Sequence, residues 1–297
     1  MNNPLDSFIS YLEYEKRYSN HTCSAYRVDL EQFLVFVNDE FEVMAVDSIS
    51  DQMIRSWLAS LMDEGIAAKS INRKTSSVKS FFKYLSRQGM IVKNPSLKIQ
   101  GPKQKKRLPV FIEESKMELL TKIEVDETLY VEFRNKLILE LFYSTGIRRA
   151  ELIGLTLNQI DLSLGQFKVL GKRNKERILP LLPQMIESLK TFINLREKEF
   201  KDHEILDWLF LTEKGKKMYP KLVYRIVNTY LSTVSTQDKK SPHVLRHTFA
   251  THMLNNGADL NAVKELLGHA SLAATQVYTH NTIEKLKKVY QQAHPKA

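Results

Sequence analysis

The chain has 297 residues, of which 44 are Lys or Arg and 34 are Asp or Glu, so its formal net charge is +10. This length suits two domains with sizeable cores, and the charge favours an anionic partner, with nucleic acid the first candidate. The single cysteine, Cys23, excludes an intramolecular disulfide, and no apolar run resembles a signal peptide or a transmembrane helix, so we expect a soluble cytoplasmic protein.

Four amphipathic helices are predicted in the first hundred residues. The first begins at Pro4, the second follows the capping residues Ser19 to Thr22, and the third follows Ser50. The fourth spans about 68–87, and its apolar residues fall in a narrow arc at about 100° per residue. These residues are Ile71, Val78, Phe82 and Leu85.

Basic charge is concentrated around this fourth helix. Residues 1–100 contain twelve basic and twelve acidic residues, whereas the stretch from Gly65 to Ile112 contains twelve basic residues and no Asp or Glu. We interpret one helix face as a surface that follows a phosphate backbone; an ordinary solvated face is the alternative. The candidate DNA-binding residues are Lys69, Arg73, Lys79, Lys83, Arg87, Lys103, Lys105, Lys106 and Arg107.

A basic segment separates two predicted domains. Residues 94–110 contain several prolines and the Lys103 to Arg107 cluster, which disfavour regular structure. We therefore predict a helical domain over 1–93, a linker over 94–110 and a second domain over 111–297. A basic linker would let two DNA-contacting domains close around a duplex, and a plain flexible hinge is compatible with the same residues.

The second domain is predicted to be mainly α with a small antiparallel β-sheet. An apolar helix over 137–143 ends near Gly146, and strands over 166–171 and 177–181 flank a polar turn. Further helices are predicted around 183–200, 220–234, 243–255, 259–267, 271–279 and 281–292.

Arginine and histidine side chains in this domain suit the binding of a phosphate. His243 and Arg246 are three residues apart and share a helix face, and Ser241 and Pro242 fit the start of that helix, where anions are favoured. Arg148 could open another helix. Two guanidiniums that converge on one phosphate would hold its nonbridging oxygens and stabilise charge in the transition state.

Three further residues suit nucleophilic attack and proton transfer. Tyr278 carries a phenol with an unperturbed pKa of about 10, so it needs cationic neighbours and a base to attack a phosphodiester. Lys172 could serve as general acid for a leaving alkoxide, and His269 could hydrogen-bond the phosphate. Each motif alone fits an ordinary surface or packing residue, but the ordered set of five in a basic chain argues against chance.

These motifs resemble the catalytic domain of the tyrosine recombinases, the phage-integrase family. The first hundred residues resemble the family's four-helix SAM-like core-binding domain, and the compact chain is similar to the Xer subfamily. The resemblance implies that the two domains form a C-shaped clamp on DNA. It rests on Thr-Gly-Ile-Arg148-Arg-Ala-Glu151-Leu, Gly-Lys172-Arg-Asn-Lys-Glu-Arg, His243-Val-Leu-Arg246-His-Thr-Phe-Ala-Thr-His, Leu-Leu-Gly-His269-Ala-Ser and Thr-Gln-Val-Tyr278-Thr-His.

The resemblance implies a site-specific recombinase in which Tyr278 forms a 3′-phosphotyrosine and releases a 5′-hydroxyl. No metal, ATP or other cofactor is implied, because the phosphotyrosine retains the bond energy. The other implied roles are phosphate binding by Arg148 and Arg246, protonation of the 5′ oxygen by Lys172, and orientation of the phosphate with help in proton transfer by His243 and His269.

The implied partners are a double-stranded recombination site, a tetrameric synapse of this chain or a paralogue with a Holliday junction intermediate, and a DNA translocase. Resolution of chromosome dimers is the expected role; an integrase, excisionase or invertase of a mobile element is the alternative. Residues 281–292 would form a helix exchanged with a neighbouring subunit. Its apolar stripe of Ile283, Leu286 and Tyr290 would pack equally well within its own domain.

Other classes of protein explain part of the pattern. A zinc enzyme could use His243, His247 and His252, but His-Glu-x-x-His is missing and residues 240–258 contain no carboxylate. A non-catalytic DNA-binding regulator accounts for the charge and the helices but not for the ordered motifs. A type IB topoisomerase would share the chemistry without needing paired sites.

Overall fold

The structure, a computed structural model, describes residues 3–103, 110–171, 176–201, 207–236, 239–268 and 280–296, except for the side chains of 280–285. The chain divides into two units, 1–107 and 108–297, each with its own hydrophobic core. Both are mainly helical and the second contains a three-stranded antiparallel sheet, so the predicted fold class is confirmed. In the parts described, no helix combines the length and the apolar character needed to cross a bilayer.

The first unit contains the four predicted helical segments. Ser19 and Ser50 cap the second and third helices, because their hydroxyls accept hydrogen bonds from the backbone N–H of Thr22 at 3.3 Å and of Met53 at 3.4 Å. The first helix continues as a π-helical stretch over Tyr11–Glu15. The α-helices are α1 (Pro4–Ser10), α2 (Asn20–Phe41), α3 (Asp51–Asp63) and α4 (Ala68–Arg87).

A buried carboxylate joins α2 to α4. Asp29 is fully buried and accepts hydrogen bonds from the Ser77 hydroxyl at 2.8 Å, the Lys74 ammonium at 3.3 Å and the Arg73 guanidinium. A buried charge is tolerated only when it is paired and hydrogen-bonded, which these three donors achieve. Arg73, a candidate DNA-binding residue, therefore has an internal partner although about half of its side chain is exposed.

Residues 94–102, which the sequence placed in the linker, pack on the first unit. Ile99 is buried in its core, and the Asn72 side chain donates to the Pro102 carbonyl at 2.9 Å. A Cβ at residue 101 would lie 2.1 Å from Oδ1 of Asn72, so any larger residue there would displace the Asn72 side chain that bonds to Pro102. The first unit thus extends beyond residue 93.

In the described residues, the second unit contains the predicted strands and the predicted helices other than 271–279, together with three short elements that the sequence did not reveal. They are a helix over Glu114–Thr121, a 3₁₀ turn over Leu157–Gln159 and a strand over Ile160–Asp161. The turn and the strand are too short to show a period, and the helix buries only Met117 and Leu120. The predicted helix over 271–279 lies outside the described residues. The elements are α5 (Glu114–Thr121), α6 (Tyr130–Thr145), α7 (Arg149–Gly154), β1 (Ile160–Asp161), β2 (Gln166–Leu170), β3 (Glu176–Pro180), α8 (Pro183–Glu199), α9 (Pro220–Val234), α10 (Pro242–Asn255), α11 (Leu260–Leu267) and α12 (His280–Ala293).

The end of α6 is fixed by a glycine. Gly146 adopts a left-handed conformation with φ +59°, and a Cβ there would lie 2.5 Å from the Phe249 ring and 2.8 Å from Leu267. Only glycine fits both the backbone and the space. Because α10 and α11 pack this tightly on the turn, the chain that follows α6 has a defined direction.

The described part of α12 packs against its own unit. Leu286, Tyr290 and Ala293 are buried in the core of the second unit, and the Tyr290 hydroxyl donates to the Ser144 carbonyl at 2.8 Å. The sequence left open whether this face packs within the domain or on a neighbour. In the single chain it packs within the domain.

His294 lies in the interior where α6, α10 and α12 meet. Its Nδ1 accepts from the Lys296 backbone N–H at 3.1 Å, and its Nε2 is 3.4 Å from the Tyr143 carbonyl, to which the neutral ring donates. Burial lowers the pKa of His294 to about 4, and Lys296 and His252 act in the same direction. The ring is therefore neutral in the folded protein at pH 7.

We expect the second unit to lose stability as the pH falls from about 6.5 to about 4. The folded pKa of about 4 for His294 lies below the unfolded value of about 6.5, so the unfolded chain takes up the proton first and stability falls with pH in this window. At about 1.36 kcal/mol per pKa unit, the difference of about 2.5 units limits the loss to about 3.4 kcal/mol. Urea unfolding followed by Trp208 fluorescence in a Trp57→Phe background, which leaves one of the two tryptophans, measures it.

A matched pair of variants isolates the contribution of this ring. His294→Gln keeps hydrogen-bonding groups but does not titrate, so it should flatten the pH dependence of unfolding. His21→Gln, at an exposed site in the first unit, should keep the wild-type slope. An unchanged slope in His294→Gln would show that other groups cause the acid sensitivity.

Candidate active site

Arg148 lies at the N-cap of α7, directly after the turn at Gly146. Glu151, three residues on, accepts from the Arg148 backbone N–H at 2.9 Å and from its Nη1 at 2.8 Å. The carboxylate therefore satisfies an unpaired N–H at the helix start and holds the guanidinium. About a quarter of the Arg148 side chain is exposed, so it can meet a ligand.

Arg177 on β3 contacts the same carboxylate. Its Nη1 and Nη2 donate to the two oxygens of Glu151 at 2.6 and 2.8 Å. Burial would raise the pKa of Glu151, but the hydrogen bonds and charges of Arg177 and Arg148 outweigh it and hold the pKa below its usual value. Glu151 is thus an ionised carboxylate between two guanidiniums.

Arg246 is the buried member of the predicted phosphate-binding pair. Its guanidinium, on α10, donates to the carbonyls of Gly146 and Leu267, and 8% of the residue is exposed. Burial, followed by the charges of Arg148 and Arg177, lowers the pKa of Arg246 to about 9, which keeps it protonated at pH 7. The structure therefore brings Arg148 and Arg246 together.

Three consecutive carbonyls at the C-terminal end of α11 accept from three different arginines. Arg177 Nε donates to Leu266 at 2.9 Å, Arg148 Nη2 donates to Gly268 at 2.7 Å, and Arg246 donates to the carbonyl between them. The last carbonyls of a helix lack partners within the helix and carry its partial negative charge. These bonds fix the end of α11 against both phosphate-binding candidates.

His243 is the second residue of α10 and is exposed. Ser241 occupies the N-cap position as predicted, but its side chain makes no capping hydrogen bond to the described start of the helix. Partial burial, Arg149 and Arg246 lower the pKa of His243, so the imidazole is neutral at pH 7. A neutral ring beside two guanidiniums can accept a proton.

Several predicted site residues lie outside the described residues. They are the catalytic candidates Lys172, His269 and Tyr278 and the DNA-binding candidates Lys105, Lys106 and Arg107. By sequence, His269 directly follows Gly268 at the end of α11, and Lys172 precedes β3 by a few residues. The roles of these residues stay predictions.

The other basic candidates lie on or near α4. Lys69, Lys83 and Lys103 are exposed, and Lys79 is half-buried. Arg87 is also exposed, and its Nη1 donates to the Tyr11 hydroxyl at 3.3 Å. The row formed by residues 79, 83 and 87 therefore reaches solvent at its last two positions.

The histidines of the zinc alternative do not share one face. His243 and His247 are exposed, whereas His252 is buried and its Nδ1 lies 3.0 Å from the Tyr143 hydroxyl. Across the described ranges, no group of three His, Cys, Asp or Glu side chains could hold a metal ion.

Two residues of the site had no assigned role in the sequence interpretation. Glu151 and Arg177 both appear in the quoted motifs, but neither was given a function. A signal did exist for Arg177, since strand alternation places it on the inward side of β3 with Leu179. A cation among inward-facing apolar residues requires a buried anion, and Glu151 is that anion.

Comparisons with known proteins identify the family. The profile "Phage integrase family" matches residues 110–285, and "Phage integrase, N-terminal SAM-like domain" matches residues 5–89. Tyrosine recombinase XerC of Chlorobaculum parvum is 37% identical, covering 99% of this chain and 94% of the relative. Tyrosine recombinase XerD of Staphylococcus haemolyticus is 36% identical, covering 99% of both chains.

A solved structure shares the fold. The XerH site-specific recombinase, in a post-cleavage complex with palindromic difH substrate, aligns with a TM-score of 0.70 at 22% identity. The alignment covers 98% of this chain and 81% of that chain. With both family profiles matched in order and relatives aligned along nearly their whole length, the chain belongs to the phage integrase family, the tyrosine recombinases, with Xer proteins among its relatives.

Proposed function

We propose that this protein is a site-specific DNA recombinase that cuts and rejoins strands through a 3′-phosphotyrosine intermediate. The observation that carries the proposal is the convergence of Arg148 and Arg246 at the C-terminal end of α11, directly before the segment that contains His269 and Tyr278. The names of the XerC and XerD relatives support the same reaction class.

The two arginines bind the nonbridging oxygens of the scissile phosphate. Each guanidinium has five N–H donors, and hydrogen bonds to described residues use two in Arg148 and two in Arg246. Donors are thus left for phosphate oxygens, and their geometry is fixed before DNA binds. Such preorganised charge stabilises the pentacovalent transition state without a reorganisation cost.

Tyr278 attacks the phosphorus, and the bond from phosphorus to the 5′ oxygen breaks. Lys172 gives a proton to the departing oxygen, while His243 and His269 orient the phosphate and assist transfer of the phenolic proton. The lowered pKa of His243 keeps its ring neutral at pH 7, so a nitrogen lone pair is available for that proton. Attack by a 5′-hydroxyl of a partner strand on the phosphotyrosine reverses these steps and releases Tyr278.

The DNA partner is a duplex recombination site. The exposed residues Lys69, Lys83 and Arg87 give α4 a basic surface for the phosphate backbone. Strand exchange between two duplexes needs four active sites, so a tetramer of this chain or of this chain with a paralogue is the working assembly. A DNA translocase is proposed as the partner that activates it, in the cytoplasm.

Resolution of chromosome dimers is the proposed cellular role. The XerC and XerD relatives are 37% and 36% identical, so identity does not separate the two types. Mapping covalent cleavage sites across the host genome tests the role. A single site near the replication terminus supports dimer resolution, whereas a site at an element boundary supports integration or excision.

We expect covalent adduct formation to proceed in EDTA and without ATP. The proposed chemistry uses only protein groups, so a nicked suicide duplex, which loses its short 5′-hydroxyl strand after cleavage, should trap the protein at the wild-type rate. Denaturing gel electrophoresis measures the adduct. Loss of the adduct on chelation would overturn the phosphotyrosine mechanism in favour of metal-dependent cleavage.

A further inference from the structure

Arg177 is a buried cation that joins three segments of the second unit. Its side chain is 4% exposed, and all three nitrogens of its guanidinium donate to protein atoms, two to Glu151 and one to the Leu266 carbonyl. A side chain so enclosed does not bind DNA directly. Its partners are nevertheless α7, which follows Arg148, and α11, which precedes His269.

The backbone at Gly268 lies against the same side chain. Gly268 has φ +62°, and a Cβ there would lie 3.1 Å from Cδ and 3.3 Å from Nε of Arg177. The absence of a side chain lets the end of α11 approach this closely. Arg177 thus contacts the position at which α11 ends and the chain continues toward Tyr278.

The charge balance around Glu151 links Arg177 to Arg148. The carboxylate accepts from both guanidiniums, so Arg177 already neutralises it and Arg148 retains donors for a phosphate. Without Arg177, Arg148 would be the remaining cation bonded to Glu151 among the described residues. Electrostatic attraction, which is strong in a partly buried site, would then draw the Arg148 guanidinium into a bidentate salt bridge with Glu151 and away from the phosphate.

We propose that Arg177 is a positioning residue of DNA cleavage. By neutralising Glu151 it leaves Arg148 available to bind the phosphate, and by bonding to Leu266 it fixes the end of α11, which precedes His269 and Tyr278 in the chain. This rests on the proposed function. Arg177 does not touch the reacting atoms; it acts through Glu151 and through the Leu266 carbonyl.

Arg177→Met should slow single-turnover adduct formation about 100-fold, the effect expected when a catalytic group is misplaced by about 1 Å. The Kd for an intact duplex, measured in a Tyr278→Phe background, should change by less than about 3-fold, because phosphate contacts elsewhere dominate affinity. A loss confined to Kd, with the cleavage rate unchanged, would overturn the proposal.

A double variant separates positioning from simple loss of stability. In Arg177→Met with Glu151→Gln, no carboxylate is left to trap Arg148, so cleavage should recover to within about 10-fold of wild type. If the single variant fails to fold, Arg177→Lys replaces it. The Lys variant keeps the charge but cannot donate to both carboxylate oxygens and the Leu266 carbonyl, so about 10-fold slower cleavage is expected. A folded Lys variant with the wild-type rate would contradict the proposal.

Arg134→Met is the matched control. Arg134 is 3% exposed and donates to the Leu211 carbonyl at 2.9 Å, so its burial equals that of Arg177 while its partners lie outside the candidate site. It should lower the melting temperature but leave cleavage unchanged where the protein is folded. If Arg177→Met and Arg134→Met slow cleavage equally when the same fraction of each protein is folded, Arg177 contributes only to stability.

The Nε–Hε NMR signal of Arg148 in DNA-free protein gives a readout that does not depend on recombination. It should shift in Arg177→Met and return toward its wild-type position in the double variant. An unchanged signal in Arg177→Met would refute positioning of Arg148. Absence of a covalent adduct with the wild-type protein would instead refute the proposed function, while the NMR result would still decide the role of Arg177.

Discussion

Replacement of Tyr278 by phenylalanine should abolish the covalent protein–DNA adduct while leaving duplex binding within about 3-fold of wild type. Phenylalanine lacks the oxygen that would attack phosphorus, and loss of a nucleophile costs at least about 10,000-fold in the chemical step. The affinity is set mainly by cationic contacts to the phosphate backbone, which the substitution leaves in place. Trapping on a nicked suicide duplex measures the adduct, and an electrophoretic mobility shift measures binding.

Tyr224→Phe provides the control for this experiment. Tyr224 is an exposed tyrosine of the same unit, so it tests whether any accessible phenol can form the adduct. It should retain wild-type trapping. An adduct that persists in Tyr278→Phe and disappears in Tyr224→Phe would show that Tyr224, and not Tyr278, is the nucleophile. Peptide sequencing of the wild-type adduct identifies the modified residue directly.

Arg246→Lys should slow adduct formation about 1,000-fold. The guanidinium bridges the Gly146 and Leu267 carbonyls and is proposed to bind the phosphate at the same time. A lysine ammonium has no planar fork and cannot serve all three acceptors, so both charge stabilisation and the anchoring of α11 suffer. Single-turnover trapping at saturating protein measures the change in the chemical step.

Arg134→Lys is the corresponding control, because Arg134 is also buried and also donates to a backbone carbonyl. It should keep the wild-type cleavage rate at temperatures where the protein is folded. If folded Arg246→Lys cleaves within about 10-fold of wild type, Arg246 is not a phosphate clamp and its bonds to the two carbonyls are structural.

Much of the local structure could be predicted from the sequence. Periodicity and capping residues placed α4 at 68–87 and α9 at 220–234, as the structure has them. The start of α2 after Ser19 and the end of α6 near Gly146 were also predicted. These features are local, since a cap or a helical period is determined by residues within a few positions.

Other features of the fold depend on tertiary packing and could not be predicted from the periodicity of the sequence. The burial of Tyr290 within its own unit is one example, because an apolar stripe is the same whether it packs in cis or in trans. The attachment of residues 94–102 to the first unit is another, because a segment rich in turn residues has no period that reveals the buried Ile99.

The sequence by itself determined the family of this chain and predicted its chemistry, since Arg148, His243, Arg246 and Tyr278 stand in ordered motifs that resemble those of the tyrosine recombinases. Only the tertiary structure showed that arginines from distant parts of the chain, Arg148 and Arg177 among them, bond to the end of α11. Arg177 reaches Leu266 across 89 positions, and Arg148 reaches Gly268 across 120. No local pattern encodes such contacts, because they form only when α7, β3 and α11 pack together and their buried charges and unpaired helix-end carbonyls must find partners.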